Sequence, residues 1–264
     1  MLELHDIHKI FNAGTVNAQT ALDGVNLTLH DGDFVTVIGG NGAGKSTMLG
    51  AVTGTVIPDS GSVILDGIDL TAMPEFKRAV YLGRVFQDPL MGTAADMLIE
   101  ENLALAARRG QKRRLHWSMS NAERETYREL LKPLELGLED RLSTKVGLLS
   151  GGQRQALTLL MASLKKPKLL LLDEHTAALD PKTAAKVLEL SDRIVAENGL
   201  TTLMVTHNMK DAIMHGNRLI MMDAGRIVLD ISGEDKRKLT VPDLLELFGQ
   251  VSSSGEANDK MLLA

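Results

Sequence analysis

One segment of the sequence combines the residue types that proteins use to hold a polyphosphate chain. Residues 39–47 read GGNGAGKST and match the pattern G-x-x-x-x-G-K-[ST]. The glycines let backbone N–H groups turn toward phosphate oxygens, the lysine adds a full positive charge, and the serine hydroxyl is a hard oxygen ligand for Mg²⁺. A chance glycine-rich turn is the alternative interpretation. The residues that the pattern assigns to nucleotide binding are Gly39, Asn41, Gly42, Ala43, Gly44, Lys45, Ser46 and Thr47.

A second candidate site lies where an apolar run ends in two carboxylates. Residues 169–174 read LLLLDE, and a short, fully apolar run is typical of a central parallel strand. Successive side chains of a strand point in different directions, so one carboxylate can hold Mg²⁺ through water while the other addresses the attacking water. We assign Asp173 to the metal and Glu174 to the water. The alternative is a solvated strand end followed by a loop.

A third motif is a serine followed by two glycines at the start of a predicted helix. Residues 149–153 read LSGGQ, and the pattern places the helix itself from Ala156 onward. The serine is a good N-cap, and the glycines let the backbone approach an anion, so Ser150, Gly151, Gly152 and Gln153 form a candidate second phosphate site. A plain N-cap after a loop is the alternative.

Taken in this order, the three motifs resemble those of the ABC ATPases, and the resemblance covers about residues 1–248. It implies an ATP hydrolase that uses Mg²⁺. It also implies that LSGGQ, the signature motif of that family, covers the ATP held by a second copy of the chain. Two ATP molecules would then lie between two copies arranged head to tail.

The same resemblance gives roles to residues that local patterns alone do not single out. Gln87 resembles the Q-loop glutamine that contacts Mg²⁺ and water, and His207 resembles the switch histidine that bonds the γ-phosphate. Phe11 resembles the aromatic residue that stacks on adenine, although a core phenylalanine is an open alternative. Asp180 matches the loop that crosses to the opposite site. The implied catalytic residues are Glu174, His207, Gln87 and Lys45, and the implied metal ligands are Ser46, Gln87 and Asp173.

Two residues depart from the family pattern. His175 stands where a proline usually follows the catalytic glutamate, and Ala177 stands where a serine usually begins the crossing loop. His175 is either a structural histidine or one that alters the surroundings of Glu174. Ala177 lacks a hydroxyl that could contact the opposite glycine loop, so communication between the two sites is expected to differ.

The order of the predicted elements indicates an α/β fold of the P-loop NTPase, RecA-like class. Its parallel core is assigned to residues 1–89 and 156–248, with an antiparallel β layer near the N-terminus. A helical subdomain is inserted at 90–155, with helices at 94–109 and 121–134; Ser120 and Glu123 form a capping box at the start of the second helix. A closing helix is expected at 241–248, and residues 249–264 are expected to form a flexible tail.

Composition limits the function classes. The 264 residues carry a formal net charge of −5, which argues against a dedicated nucleic-acid binder. The chain has no cysteine, which excludes disulfides, zinc–thiolate sites and thiol catalysis. We find neither a signal peptide nor a run of about 18 apolar residues that could span a bilayer. We therefore expect the chain to stay on the side of the membrane where it is made, and the resemblance to the ABC ATPases implies a peripheral position on the cytoplasmic face of the membrane.

A basic segment in the predicted insert has two interpretations. Residues 108–114 contain five cations in seven positions, and Trp117 is nearby. Such a segment could face anionic lipid headgroups or an acidic surface of a membrane partner. A solvated loop is the equally weighted alternative.

The resemblance implies a subunit that powers solute translocation through a separate membrane permease, in an importer-like system. The expected partners are a second copy, the permease subunits and an extracytoplasmic solute-binding protein. The stretch 173–180 resembles a bacterial subgroup associated with amino acids such as tryptophan or tyrosine. The alternatives are an ABC ATPase that works as a mechanical clamp, whose relatives carry long coiled-coil inserts or tandem cassettes, and a P-loop kinase for a small molecule.

Overall fold

The structure is a computed structural model that describes residues 1–111 and 119–251. Its strands are β1 (Leu2–Phe11), β2 (Gln19–Leu29), β3 (Phe34–Gly39), β4 (Ser60–Leu65), β5 (Ile68–Asp69), β6 (Leu82–Val85), β7 (Leu169–Asp173), β8 (Thr202–Val205), β9 (Arg218–Asp223) and β10 (Arg226–Ser232). Its helices are α1 (Lys45–Thr53), α2 (Glu75–Arg78), α3 (Ile99–Ala107), α4 (Asn121–Leu131), α5 (Gly151–Ser163), α6 (Pro181–Asn198), α7 (Met209–Met214), α8 (Gly233–Lys238) and α9 (Val241–Val251).

The strands form two sheets, as predicted. A four-stranded antiparallel sheet has the order β2-β1-β4-β5, and a six-stranded sheet has the order β10-β9-β3-β8-β7-β6. In the larger sheet, β3 pairs in parallel with β8 and β9, and β7 pairs in parallel with β6 and β8. Only its last strand, β10, runs antiparallel to its neighbour.

The parallel pairing brings four chain segments to one edge of the sheet. The carboxyl ends of β3, β8, β7 and β6 lie side by side, because these strands are consecutive neighbours. The glycine loop follows β3, His207 follows β8, Glu174 follows β7 and Gln87 follows β6. In open α/β sheets, ligands bind outside this edge. The fold therefore places the predicted catalytic segments at a common edge.

Both faces of the parallel sheet are covered by apolar packing, and β7 shows this residue by residue. Leu170 and Leu172 belong to a hydrophobic cluster with α3, α4, α5 and α6. Leu169 and Leu171 belong to a separate cluster with α1 and the antiparallel sheet. This alternation explains why the run is apolar at every position rather than at every second one.

A buried arginine holds the far end of the helix that follows the glycine loop. Arg78 is fully buried, and its guanidinium donates hydrogen bonds to carbonyls in the last turn of α1 and in the segment before α2. These charged donors satisfy carbonyls that a helix end leaves unpaired. The acceptors are the carbonyl oxygens of Ala51, Val52, Thr71 and Met73.

The first predicted helix of the insert was placed too early. The prediction began at residue 94, whereas α3 begins at Ile99. The preceding segment is held by tertiary hydrogen bonds instead. The Asn102 side chain bonds both the N–H and the carbonyl of Ala94, and the Val146 N–H donates to the Met97 carbonyl.

The second predicted helix was nearly right. Its capping box is confirmed, because the Glu123 N–H donates to the Ser120 hydroxyl and the Ser120 N–H donates to the Glu123 carboxylate. The α-helix ends at Leu131, and residues 132–134 form a 3₁₀ turn. Pro133 explains the early end, because proline has no N–H and its ring disfavours a continuing α-helix.

The helix after the LSGGQ motif begins five residues earlier than predicted. α5 starts at Gly151 rather than Ala156, and it runs without a break to Ser163. The predicted boundary at 155/156 therefore falls inside one helix. Leu157 and Leu160 of α5 belong to the same hydrophobic cluster as α3, α4 and the sheet, so the insert and the core share packing.

The C-terminal helix continues past its predicted end. α9 extends to Val251 rather than Phe248, so the first three residues of the predicted tail are helical. The rest of that tail lies outside the described residues, as do positions 112–118 of the basic segment and its surroundings. Of the described cations in that segment, Arg108 pairs with Glu123 and Arg109 donates to the Ala162 carbonyl.

Candidate functional site

A cavity of about 260 Å³ lies where the glycine loop meets the edge of the parallel sheet. It collects most of the residues that the sequence assigns to ATP, together with the candidate catalytic carboxylate. It also contains Gln19, Ala21 and Gly40, which sequence reasoning did not select. The predicted residues that line it are Phe11, Asn41, Gly42, Ala43, Gly44, Lys45, Ser46, Thr47 and Glu174.

Two glycines of the loop are required by close backbone contacts. Gly44 has a left-handed φ of 99°, and a Cβ there would lie 2.5 Å from the Ala21 carbonyl oxygen. At Gly39, a Cβ would lie 2.4 Å from the Met222 carbonyl oxygen. Any side chain at either position would force the backbone apart. These glycines therefore allow the loop to fold tightly against β2 and β9.

Lys45 is a buried cation in the lining of this cavity. Only 8% of its surface is exposed. Its Nζ atom donates hydrogen bonds to the Gly39 carbonyl at 2.6 Å and to the Gly40 carbonyl at 3.0 Å. Burial lowers the pKa of the Lys45 ammonium group, and the carboxylates of Glu174 and Asp173 oppose that shift. Among the described residues, no carboxylate forms an ion pair with it. A phosphate anion would supply the negative partner that the ammonium group lacks.

Glu174 sits on an unusual backbone turn directly after β7. Its φ is 44°, in the left-handed region that residues other than glycine seldom adopt. The Glu174 N–H donates to the Val205 carbonyl at 2.9 Å, and this bond ties the turn to β8. The Nδ1 atom of His207, which follows β8, is 3.6 Å from the Glu174 carboxylate. The structure thus brings these two predicted catalytic residues together.

Asp173 faces a residue that the sequence analysis did not select. The Arg84 guanidinium on β6 donates to the Asp173 carboxylate at 3.0 Å. Strand pairing places Arg84 opposite Leu171, two residues before Asp173, so the two side chains project from the same face. An arginine in an otherwise apolar strand was the sequence signal that could have found it.

The structure places the remaining predicted residues in different surroundings. Phe11 is 38% exposed and lines the cavity, so it is not a core residue. Gln87 is not among the described residues that line the cavity. Asp180 is the N-cap of α6 and accepts the Thr183 N–H at 3.1 Å; hydrogen bonds from Thr183 lower the pKa of its carboxyl.

Three of the five LSGGQ residues line a second, larger cavity of about 520 Å³ rather than the glycine-loop cavity, whereas Gly151 lines neither. Ser150 caps α5, accepting the Gln153 N–H at 3.3 Å, while the Gln153 side chain bonds back to the Ser150 N–H. Ser150, Gly152 and Gln153 line this cavity with residues of α6. The larger cavity lacks both the glycine loop and the candidate catalytic carboxylate, so we place the chemistry in the smaller one.

The donor set fits a hard metal ion bound jointly with a nucleotide. Among the described residues, no cluster of three or more histidine, cysteine, aspartate or glutamate side chains could hold a metal alone. The Ser46 hydroxyl and the Asp173 carboxylate are oxygen donors, the ligand type that Mg²⁺ prefers. These residues would hold the ion together with oxygen atoms of a bound nucleotide and water.

Sequence comparison identifies the family. The family described as ABC transporter matches residues 22–177, a range that includes the glycine loop, LSGGQ and Glu174. The chain belongs to this family. It is an ATP-binding cassette with ATP hydrolase activity, and its fold is the P-loop NTPase fold that the sequence predicted. Among its described residues, no helix is both long enough and apolar enough to cross a bilayer.

Individual relatives cover nearly the whole cassette. It is 45% identical over 252 residues to the tyrosine transport ATP-binding protein of Clostridioides difficile, covering 94% of this chain and 98% of that protein. It is 37% identical to the methionine import ATP-binding protein MetN of Corynebacterium diphtheriae, covering 86% of this chain and 64% of that protein. A solved dimeric cassette in a post-hydrolysis state, bound to ADP and Pi, is 30% identical, with a TM-score of 0.74 over 88% of this chain and 98% of that one.

The departure at His175 has a structural explanation. The imidazole is 2% exposed, and its Nε2 lies 3.0 Å from the Ser191 hydroxyl on α6. Ser191 donates its own proton to the Val187 carbonyl, so the histidine must donate to Ser191 and is protonated at Nε2. Burial lowers the pKa of His175 to about 4. His175 is therefore a neutral residue packed against α6, and it is not among the residues that line the cavity.

This burial predicts a pH dependence of stability. In the unfolded chain, His175 takes up a proton below about pH 6.5, whereas the folded chain resists protonation down to about pH 4. Acid therefore favours the unfolded state in this window, and the histidine contributes a loss of about 3 kcal/mol between these pH values. The measurement is the free energy of urea unfolding at several pH values.

The His175→Gln variant should lack this contribution, so its stability should fall less steeply between pH 6.5 and pH 4. Ser191→Ala is the matched control, because it removes the hydrogen bond and keeps the buried imidazole, and its slope should match that of the parent. Identical slopes for His175→Gln and the parent would contradict the prediction.

Proposed function

We propose that this cassette is the ATP-hydrolysing subunit of an import system whose membrane-spanning part is a separate permease. The observation that carries the proposal is the cavity in which Lys45, Ser46 and Glu174 meet at the edge of the parallel sheet. The relatives named as tyrosine transport and methionine import ATP-binding proteins support an uptake role.

The described residues divide the chemical work on the γ-phosphate. The Lys45 ammonium group lies in the cavity lining and would exchange its hydrogen bonds with the Gly39 and Gly40 carbonyls for contacts with phosphate oxygens. Glu174 would orient the attacking water and take its proton. His207, whose Nδ1 atom lies 3.6 Å from the Glu174 carboxylate, would donate a hydrogen bond to the γ-phosphate. Phe11 would stack on the adenine at the cavity wall.

Mg²⁺ is part of this proposal. Ser46 and Asp173 would hold it, with Gln87 as a further ligand after movement of its loop. The ion, when bound, withdraws charge from the β- and γ-phosphate oxygens.

A second copy is needed to complete the site. Ser150, Gly152 and Gln153 line a different cavity from the one that contains Lys45, so one chain does not bring the two motifs to the same cavity. Head-to-tail pairing of two copies would place each LSGGQ helix start against the ATP of the other copy. The dimeric cassette bound to ADP and Pi supports this arrangement.

The surface after Gln87 is suited to a permease. Leu90 and Met91 are 46% and 70% exposed, and large apolar side chains exposed together mark contact surfaces. We place the cassette at the cytoplasmic face of the membrane, attached through this surface. A solute-binding protein completes the system, and the tyrosine transport relative supports an aromatic amino acid as its cargo.

The role of Glu174 is tested by the Glu174→Gln variant. Removing the carboxylate should lower ATP turnover at least about 100-fold, because a positioned general base contributes on the order of 10²–10⁴ in rate. Binding of a fluorescent ATP analogue should remain within about twofold of the parent. Glu129→Gln on the exposed surface of α4 is the control. Near-normal turnover in Glu174→Gln would refute the assignment.

The shared site is tested by mixing two inactive variants. Lys45→Ala disables the glycine loop, while Ser150→Asp keeps a good N-cap and directs a negative charge at the partner's phosphate. Each variant alone should hydrolyse ATP poorly. In the mixture, the mixed dimers contain one site free of both changes, so activity should rise above that of either variant. No rise on mixing would contradict the two-copy arrangement.

The transport role is tested by purification from a membrane extract of its host. The cassette should bring down a multi-span membrane protein, and their complex in lipid vesicles should hydrolyse ATP faster when a solute-binding protein loaded with tyrosine or tryptophan is added. A partner that is chromosomal or ribosomal would favour the clamp alternative. Stimulation by other solutes and not by aromatic amino acids would refute the proposal that an aromatic amino acid is the cargo.

A further inference from the structure

The ion pair between Arg84 and Asp173 joins the metal-site carboxylate to the neighbouring strand. Arg84 donates through one nitrogen, Nη2, to one oxygen, Oδ2, at 3.0 Å. Both side chains are mostly buried, with 21% and 18% of their surfaces exposed. A charge-assisted bond in such surroundings holds the carboxylate in one orientation. The other oxygen, Oδ1, accepts no hydrogen bond from the described residues and is available to a second partner.

The same guanidinium contacts the start of the Q-loop. It lies over the Phe86 ring, with 4.5 Å between Cζ and the ring centroid, and Phe86 directly precedes Gln87. The Phe86 carbonyl in turn accepts a hydrogen bond at 3.0 Å from the side chain of Gln155, which is fully buried in α5. Contacts therefore run without interruption from Asp173 through Arg84 and Phe86 to the helix that begins with the LSGGQ motif.

This arrangement is costly for the fold. The Nε atom of Arg84 and the Oε1 atom of Gln155 are buried without a hydrogen-bond partner among the described residues. An unsatisfied buried polar atom destabilises a protein, and a buried ion pair is weak evidence for stability because an apolar pair often does as well. Leucine or methionine on β6 would suit packing alone, so packing against the core does not account for Arg84.

We propose that Arg84 is a positioning residue that fixes the Asp173 carboxylate for the Mg²⁺–nucleotide complex and links its orientation to Phe86 and α5. The proposal rests on the proposed function, in which Asp173 serves the metal. Arg84 acts through Asp173 and is not itself a ligand.

A purely electrostatic role makes the opposite prediction, so the two are separable. If Arg84 only neutralised Asp173, its removal would leave more negative charge near the metal and would tighten Mg²⁺ binding. If Arg84 holds the carboxylate in place, its removal frees the side chain and weakens Mg²⁺ binding. The sign of the change therefore decides between the roles.

The test measures Mg²⁺-dependent nucleotide binding rather than turnover. The full chain carries Glu174→Gln to prevent hydrolysis, a fluorescent ATP analogue is the probe, and MgCl₂ is titrated. Arg84→Met keeps an unbranched, largely apolar side chain but removes the guanidinium group and its charge. It should raise the MgCl₂ concentration at half-saturation about tenfold, the effect of losing one charged hydrogen bond. Affinity measured in EDTA should change by less than about twofold.

Two further variants separate charge from geometry. Arg84→Lys keeps the charge but loses the planar group that both bonds Asp173 and stacks on Phe86, so a shift of about threefold in the same direction is expected. Phe86→Leu removes the stacking partner and should also raise the MgCl₂ concentration at half-saturation. Arg128→Met, which removes an exposed arginine paired with Glu125 on α4, is the control and should match the parent.

Each outcome either supports or overturns the proposal. A midpoint for Arg84→Met equal to that of the control, or a shift toward tighter Mg²⁺ binding, overturns it. If Arg84→Met does not fold, Arg84→Lys decides: weaker Mg²⁺ binding than in the control supports the proposal, and an unchanged or tighter Mg²⁺ binding overturns it. A parent protein that binds nucleotide without any Mg²⁺ dependence would instead refute the metal role of Asp173 in the proposed function.

Discussion

The parallel pairing of β3, β8, β7 and β6 is the constraint on which the rest of the structure depends. It aligns four carboxyl ends, so that a phosphate loop, a histidine, two carboxylates and a glutamine emerge at one edge. Both faces of this sheet are sealed by apolar residues, which keeps the strands in register and the edge in place. The loops at the edge are then free to differ in sequence without cost to the core.

Among the described residues, Lys45 at this edge has no ion-pair partner. Lys45 is buried against two carbonyl oxygens, and its pKa is lowered because burial outweighs the nearby carboxylates. Asp173, by contrast, already has a cationic partner in Arg84. Lys45 can therefore pair with an anionic ligand, while Asp173 is held in place by Arg84. Both features suit a site that binds a metal–polyphosphate complex.

The position of α5 links this site to the remainder of the molecule. Its N-terminus carries the LSGGQ motif, its Gln155 side chain bonds the carbonyl of Phe86, and its later residues pack with the sheet. A single rigid helix thus touches the signature cavity, the start of the Q-loop and the core. Movement of the Q-loop is therefore expected to displace the LSGGQ motif, because the Gln155 side chain joins α5 to Phe86.

The sequence by itself determined the family, the fold class and most of the cavity, because motif spacing and apolar runs are local properties. It also located the capping box at Ser120 and Glu123. The start of α5 was encoded locally as well, in the Ser150–Gln153 capping box, although the sequence analysis began that helix at Ala156. Only the tertiary structure decided where α3 begins, since hydrogen bonds from the Asn102 side chain hold the segment before it. It likewise decided that His175 is buried against Ser191 and that Arg84 reaches Asp173, because residues distant in the chain meet there only through strand and helix packing.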